Sequence, residues 1–134
     1  MNIALIKHDG AALNLPANYI QAIVPLAATD EAPDARSLIV SSFRGGTTFP
    51  LQDTPASVYE SVIFHNPSAA EAWVSLDKGD EKSYFQCVTI EGFDAIGQES
   101  WRAWIKFPNG METTEICDYT DHNKKELERA VSNA

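Results

Sequence analysis

The chain predicts an α+β fold: two tandem antiparallel β-sheet units, each closed by one C-terminal helix, packed as a compact, pseudo-symmetric body. Three observations carry this reading. Short β-type runs are punctuated by Gly-containing turns. Two stretches combine a helix-start signal with apolar residues at helical spacing. The order of these features then recurs roughly 65 residues later.

In the first unit, residues 1–65, strands are expected at 2–7, 11–15, 19–27, 36–43 and 47–52. A helix follows at 55–64. Thr54 supplies an N-cap hydroxyl and Pro55 suits the first helical position. Val58, Tyr59, Val62 and Ile63 form the apolar stripe of that helix. In the second unit, residues 70–134, strands are expected at 72–77, 83–93, 100–107 and 111–117, with a helix at 121–132. Thr120 or Asp121 can cap it, Leu127, Ala130 and Val131 form its stripe, and Asp121 and Arg129 suit its dipole. Asn109-Gly110 predicts a two-residue hairpin, a role that Gly45-Gly46 takes in the first unit. His65-Asn66-Pro67-Ser68 reads as the linker.

The echo between the units is legible residue by residue. Ser37–Gly46 reads like Trp101–Gly110, a β-type run ending in Phe and then a turn. Tyr19–Ile23 resembles Thr89–Phe93, and Leu51-Gln52-Asp53 matches Ile116-Cys117-Asp118. The Asp/Pro-rich loop Thr29–Ala35 is the main length difference, as a surface connection allows. Units of this size hold marginal cores alone, so the two are expected to fold as one cooperative body. Strand 37–43, apolar on both faces, is the candidate interface between halves or between the subunits of a homodimer.

Residues 1–64 also carry a short strand ending in Asp9-Gly10, then Leu13-Asn14-Leu15, then Tyr19–Ile23. A strand to Gly46 follows, and Asp53-Thr54-Pro55 opens a terminal helix bearing Val58 and Val62. This pattern resembles the small flagellar-accessory proteins of the FlbD type. The resemblance implies a fold for this half and no catalytic residue; the long Thr29–Ala35 loop departs from it.

The 134 residues carry 19 Asp+Glu against 10 Lys+Arg, a formal charge of −9. Phosphate contacts need clustered cations, so direct nucleic-acid binding is not expected. The charge opposes an anionic membrane surface and favours a basic protein partner. No leader-like or spanning segment is evident, and a cytoplasmic location is expected. Cys87 and Cys117 lack redox or zinc spacing and are expected to be reduced and packed.

Candidate chemistry gathers in the second half. One face of strand 100–107 carries Trp101, Ala103, Ile105 and Phe107, and the other Arg102, Trp104 and Lys106. A tryptophan between two cations can form a recognition surface, or it can lie covered by its neighbours' aliphatic stems. Asp118-Tyr119-Thr120-Asp121-His122 fits a helix cap better than a metal site, His8 lies in a turn, and His65 ends the first helix. No catalytic, metal or cofactor motif is present. The expected function is a non-catalytic acidic binding protein: an adaptor, inhibitor or immunity-type partner in a bacterium or phage. The alternatives are a binder of an anionic aromatic molecule such as a nucleotide at Arg102, Trp104 and Lys106, and a small enzyme with a composite site.

Overall fold

Alternation of apolar and exposed positions makes Asn2–Ile6 a strand (β1) whose Ile3 and Leu5 turn inward. It pairs antiparallel with β2 (Ala12–Pro16), and a 3₁₀ turn at Ala17–Tyr19 leads into β3 (Ile20–Pro25). Then come β4 (Ser37–Ser41), β5 (Thr47–Leu51) and helix α1 (Pro55–Phe64). The second half runs β6 (Trp73–Lys78), β7 (Glu81–Gln86), a 3₁₀ turn at Cys87–Thr89, β8 (Ile90–Ile96), β9 (Ser100–Lys106), β10 (Glu112–Asp118) and α2 (Asp121–Ser132). This computed structural model describes residues 2–64 and 67–132. The fold is α+β, and both halves run strand–strand–3₁₀–three strands–helix, the first with an added 3₁₀ turn at Phe43–Gly45 between its last two strands.

Several details differ from the sequence expectation. The run 83–93 is two strands, because the 3₁₀ turn, tied by a 2.7 Å hydrogen bond from Thr89 Oγ1 to the Gln86 carbonyl, sends β7 and β8 into different sheets. Residues 67–72 form a 3₁₀ segment in place of an irregular linker; His65 and Asn66 lie outside the described residues. The Asn109-Gly110 hairpin has only Gly110 in the left-handed region. Its N–H reaches the Phe107 carbonyl while Asn109 Oδ1 accepts the Met111 N–H. Pro108 presets the preceding turn position, so the loop is one residue longer than the two-residue form. At the equivalent turn of the first half Arg44, Gly45 and Gly46 all have positive φ.

The larger departure concerns the sheets. The hairpin β6–β7 does not stay with its own half: β7 pairs with β3, giving a five-stranded sheet in the order β5-β4-β3-β7-β6. β8, β9 and β10 form a separate three-stranded sheet, and β1–β2 a ribbon. Each of two cores accordingly draws on both halves. Trp73 and Tyr84 join Ile3, Leu5, Leu15, Ile23, Ile39, Leu51, Val58 and Val62. On the other face of the same strands, Ala22 and Val40 join Val74, Leu76, Phe85, Ile90, Ala103, Ile105 and Leu127. β4 thus lies between the cores, Ile39 in one and Val40 in the other.

The helices start as their residues dictate. Thr54 Oγ1 accepts the Ser57 N–H and Thr120 Oγ1 the Asn123 N–H, both at 3.2 Å, so Thr120 and not Asp121 is the second cap. α1 buries Val58 and Val62 of its stripe. In α2 Leu127 and Ala130 are buried, Val131 is exposed, and the remaining buried position is Asn123. Asn123 Oδ1 accepts the Asp77 N–H at 2.8 Å, and its Nδ2 donates to the Asp77 and Asp118 carbonyls, each at 2.9 Å. Arg129 donates to the Trp73 and Glu71 carbonyls, and His122 Nε2 lies 3.2 Å from the Ser75 carbonyl. α2 therefore closes the outer edge of β6 with side chains where another strand would use backbone.

Replacing Asn123 by Leu strands one buried N–H and two carbonyls and is expected to cost about 3 kcal/mol. Urea denaturation of wild type and variant reads this; a change below about 1 kcal/mol would refute the clamp. Cys117, packed in the second core, has its thiol pKa pushed up from 9.0 to about 12, mainly by burial. The folded state then favours the protonated thiol, so stability is retained below pH 9 and declines as pH rises from about 9 to 12. Cys117→Ala is expected to flatten that alkaline decline in a stability–pH series.

Candidate functional site

Pleating divides β9 between two environments. Ala103, Ile105 and Phe107 are buried in the second core, and Trp101 packs at its margin. The Trp101 ring stacks on Tyr119 at 4.7 Å and meets Phe93 edge-on at 5.7 Å, and its Nε1 donates to the Thr120 carbonyl. Arg102, Trp104 and Lys106 project from the opposite face, as the alternation predicts. Trp104 is 46% exposed, so it is a surface group and not one covered by its neighbours.

The register explains that exposure. Trp104 lies opposite Gly92 on β8 and Thr114 on β10. Gly92 offers no side chain, and a Cβ built there would meet nothing within 4 Å, so the indole is open on that side. Arg102 lies opposite Asp94 and Ile116. Its Nε and Nη2 donate to the two carboxylate oxygens of Asp94 at 2.9 and 2.6 Å. The guanidinium carbon sits 4.6 Å from the centre of the Trp104 ring, a cation–π contact. Lys106 lies opposite Glu112, with Nζ 4.0 Å from its carboxylate.

These pairs set the electrostatics of the face. Hydrogen bonds from Arg102 hold the Asp94 carboxyl below its ordinary range, and Asp94 in turn raises the Arg102 pKa. Each cation has a carboxylate beside it, so the face is an aromatic patch in a charge-compensated frame and not a cationic one. Lys106 also lines a shallow groove of about 450 Å³ with Val88, Thr89, Glu91, Phe107 and Pro108. The three predicted residues are thus brought together on one face. Gly92, Asp94 and Glu112 were missed, although folding 90–96 against 100–106 about Gly97 places Asp94 opposite Arg102.

The acidic cluster at 118–122 is structural in its contacts. Asp118 Oδ2 accepts the Gly79 N–H at 2.9 Å, as Asp53 Oδ2 accepts that of Ile6 at 2.8 Å in the first half. Thr120 caps α2, and His122 lies against β6 with Nε2 3.9 Å from Asp77 Oδ2. His8 is in the β1–β2 turn, and the reading of His65 as a helix end falls outside the described residues. Cys87 and Cys117 are unpaired and buried.

Two substitutions separate the roles on the face. Trp104→Ala is expected to leave unfolding stability within about 0.5 kcal/mol of wild type, because the ring is a surface group. A loss above about 2 kcal/mol in urea denaturation would return Trp104 to the core. Arg102→Ala is expected to raise the Asp94 pKa back toward its ordinary value, read by NMR titration. Asp94 stabilises the wild type above the pKa it has when unfolded, and that contribution is lost as pH falls through its depressed folded value. The variant should lack this acid-limb decline.

No family model, curated protein or solved structure matches the chain.

Proposed function

We infer that the protein is a non-catalytic binding protein, an adaptor, inhibitor or immunity-type partner, whose outer β8–β10 face contacts another protein. The observation that carries this is Trp104: a half-exposed indole on the central strand of the three-stranded sheet, opened by Gly92 and braced by Arg102. Exposed Trp and Arg at the centre of a patch are the residue types that dominate protein–protein contacts. The net charge of −9 favours a basic partner and steers its approach. No described helix is long and apolar enough to cross a membrane. The unpaired cysteines suit the reducing cytoplasm of a bacterium, the expected setting for a host or phage protein of this kind.

The ion pairs weigh against the anionic-ligand reading. A nucleotide would have to compete with Asp94 for a bidentate guanidinium and with Glu112 for Lys106. Capture from a host lysate, followed by binding measurements on the recovered partner, tests the choice. The partner is expected to bind at least tenfold more weakly to Trp104→Ala, and more weakly to wild type as salt rises. Equal affinity for the variant, or indifference to salt, argues against the reading. A nucleotide titration is expected to leave Trp fluorescence unchanged; a quench abolished by Trp104→Ala would favour the small-anion alternative.

A further inference from the structure

Sheets end in strands whose outward N–H and C=O groups need partners. Among the described residues some of these ends are closed. β5 is closed by the end of β1: Lys7 bridges Leu51, the His8 N–H donates to the Pro50 carbonyl, and the Gln52 N–H donates to the Ile6 carbonyl. β6 is closed by His122, Asn123 and Arg129 of α2. β10 comes near β6 at its C-terminal end, where Asp118 holds the Gly79 N–H, while Glu112, Thr113 and Thr114 at its start are exposed. β3 is closed by β7. Among the described residues four strands have no further strand paired on their outer side, β2, β6, β8 and β10; α2 side chains cover β6, and β2 and β8 are the two that correspond to the strands of the internal junction.

These two are related by the repeated element order. β8 occupies in the second half the place of β3 in the first, seventy residues on, and β2 occupies the place of β7. β3 and β8 share an irregularity, a register shift against the next strand between Ile20 and Ala22 and between Ile90 and Gly92. The pairing that joins the halves inside one chain therefore has an unfilled counterpart, with β8 on one side and β2 on the other.

We propose that copies of this chain associate head to tail by strand addition, β2 of one copy entering beside β8 of the next. The internal junction supplies the register. Its pairs Ala22–Phe85 and Ile23–Tyr84 become Gly92 with Leu15 and Phe93 with Asn14 of the added copy. Charge selects this arrangement over a symmetric one. β8 carries the exposed Glu91 beside an Asp94 held by Arg102, whereas β2 is the uncharged run Ala-Leu-Asn-Leu-Pro, so a β2–β8 pairing sets no carboxylate against another. A heterologous contact of this kind closes into a ring or grows as a filament. The added strand enters beyond Gly92, at the margin of the Trp104 face.

Sedimentation velocity of the full chain, from micromolar to near-millimolar concentration, tests this. The weight-average mass of the wild type should rise past that of a dimer. Asn14→Pro blocks β2 and Ala95→Pro blocks β8, both at exposed positions of an edge strand. Each variant alone should sediment as a monomer, and an equimolar mixture should form a dimer and nothing larger, because each keeps the edge the other lacks. Asn14→Glu, which keeps the backbone donor and adds a charge beside Glu91, should weaken association about fivefold. A wild type that stays monomeric throughout overturns the proposal. So does an Asn14→Pro variant that still dimerises alone, which would mean symmetric β8 pairing, or an Asn14→Glu variant of undiminished affinity.

Discussion

The pairing of β3 with β7 is the constraint on which the rest of the molecule depends. It joins only two residue pairs, Ala22 with Phe85 and Ile23 with Tyr84, yet it carries the hairpin of one half into the sheet of the other. Gln86 fixes its end with a 2.6 Å hydrogen bond from Nε2 to the Ile20 carbonyl. Once that junction is made, β3 and β4 must be apolar on both faces, because a core lies on each side. Trp73 and Tyr84 then have to enter the first core, where Tyr59 stacks on Tyr84 at 4.3 Å. Neither half retains a core made from its own residues alone.

The junction also creates a problem that α2 solves. Extending the five-stranded sheet to β6 leaves β6 as an edge with unpaired carbonyls at Trp73 and Ser75 and both backbone groups of Asp77. His122, Asn123 and Arg129 reach these from one side of the helix. Burying an amide in the first turn of a helix is unfavourable unless its polar atoms are matched, and Asn123 makes three such bonds. Arg129 is itself held by Glu126 at 2.6 Å, so the clamp is a connected network. A helix that docks this way closes one end of the sheet and leaves the three-stranded sheet beyond it with an open outer face and an open edge.

On that outer face, the same register that opens Trp104 compensates the cations beside it. β8 presents Gly92 and Asp94 at successive same-face positions, one removing a side chain beside the indole and the other gripping the guanidinium. The result is area and shape with little net charge. Long-range attraction is left to the chain as a whole, whose −9 is spread over both halves. Contact and steering are thus carried by different parts of the molecule.

Chemistry local to the chain sets the elements and their order. Thr54-Pro55 and Thr120 mark the helix starts, alternation in 100–107 divides core from surface, and the two-faced apolarity of 37–43 marks a strand between two layers. These follow from side-chain period and capping chemistry, which act over a few residues. Tertiary structure decided what those elements are paired with. The division of 83–93 at Cys87–Thr89 has no strong local breaker; it arises because β7 is drawn to β3 and β8 to β9. Asn123 reads as a polar surface residue until β6 lies beneath it, and Asp94 as an ordinary acid until Arg102 is opposite. Each depends on a partner at least eight residues away in the chain, and in the Asn123 case on one 46 away, where no local period can report it.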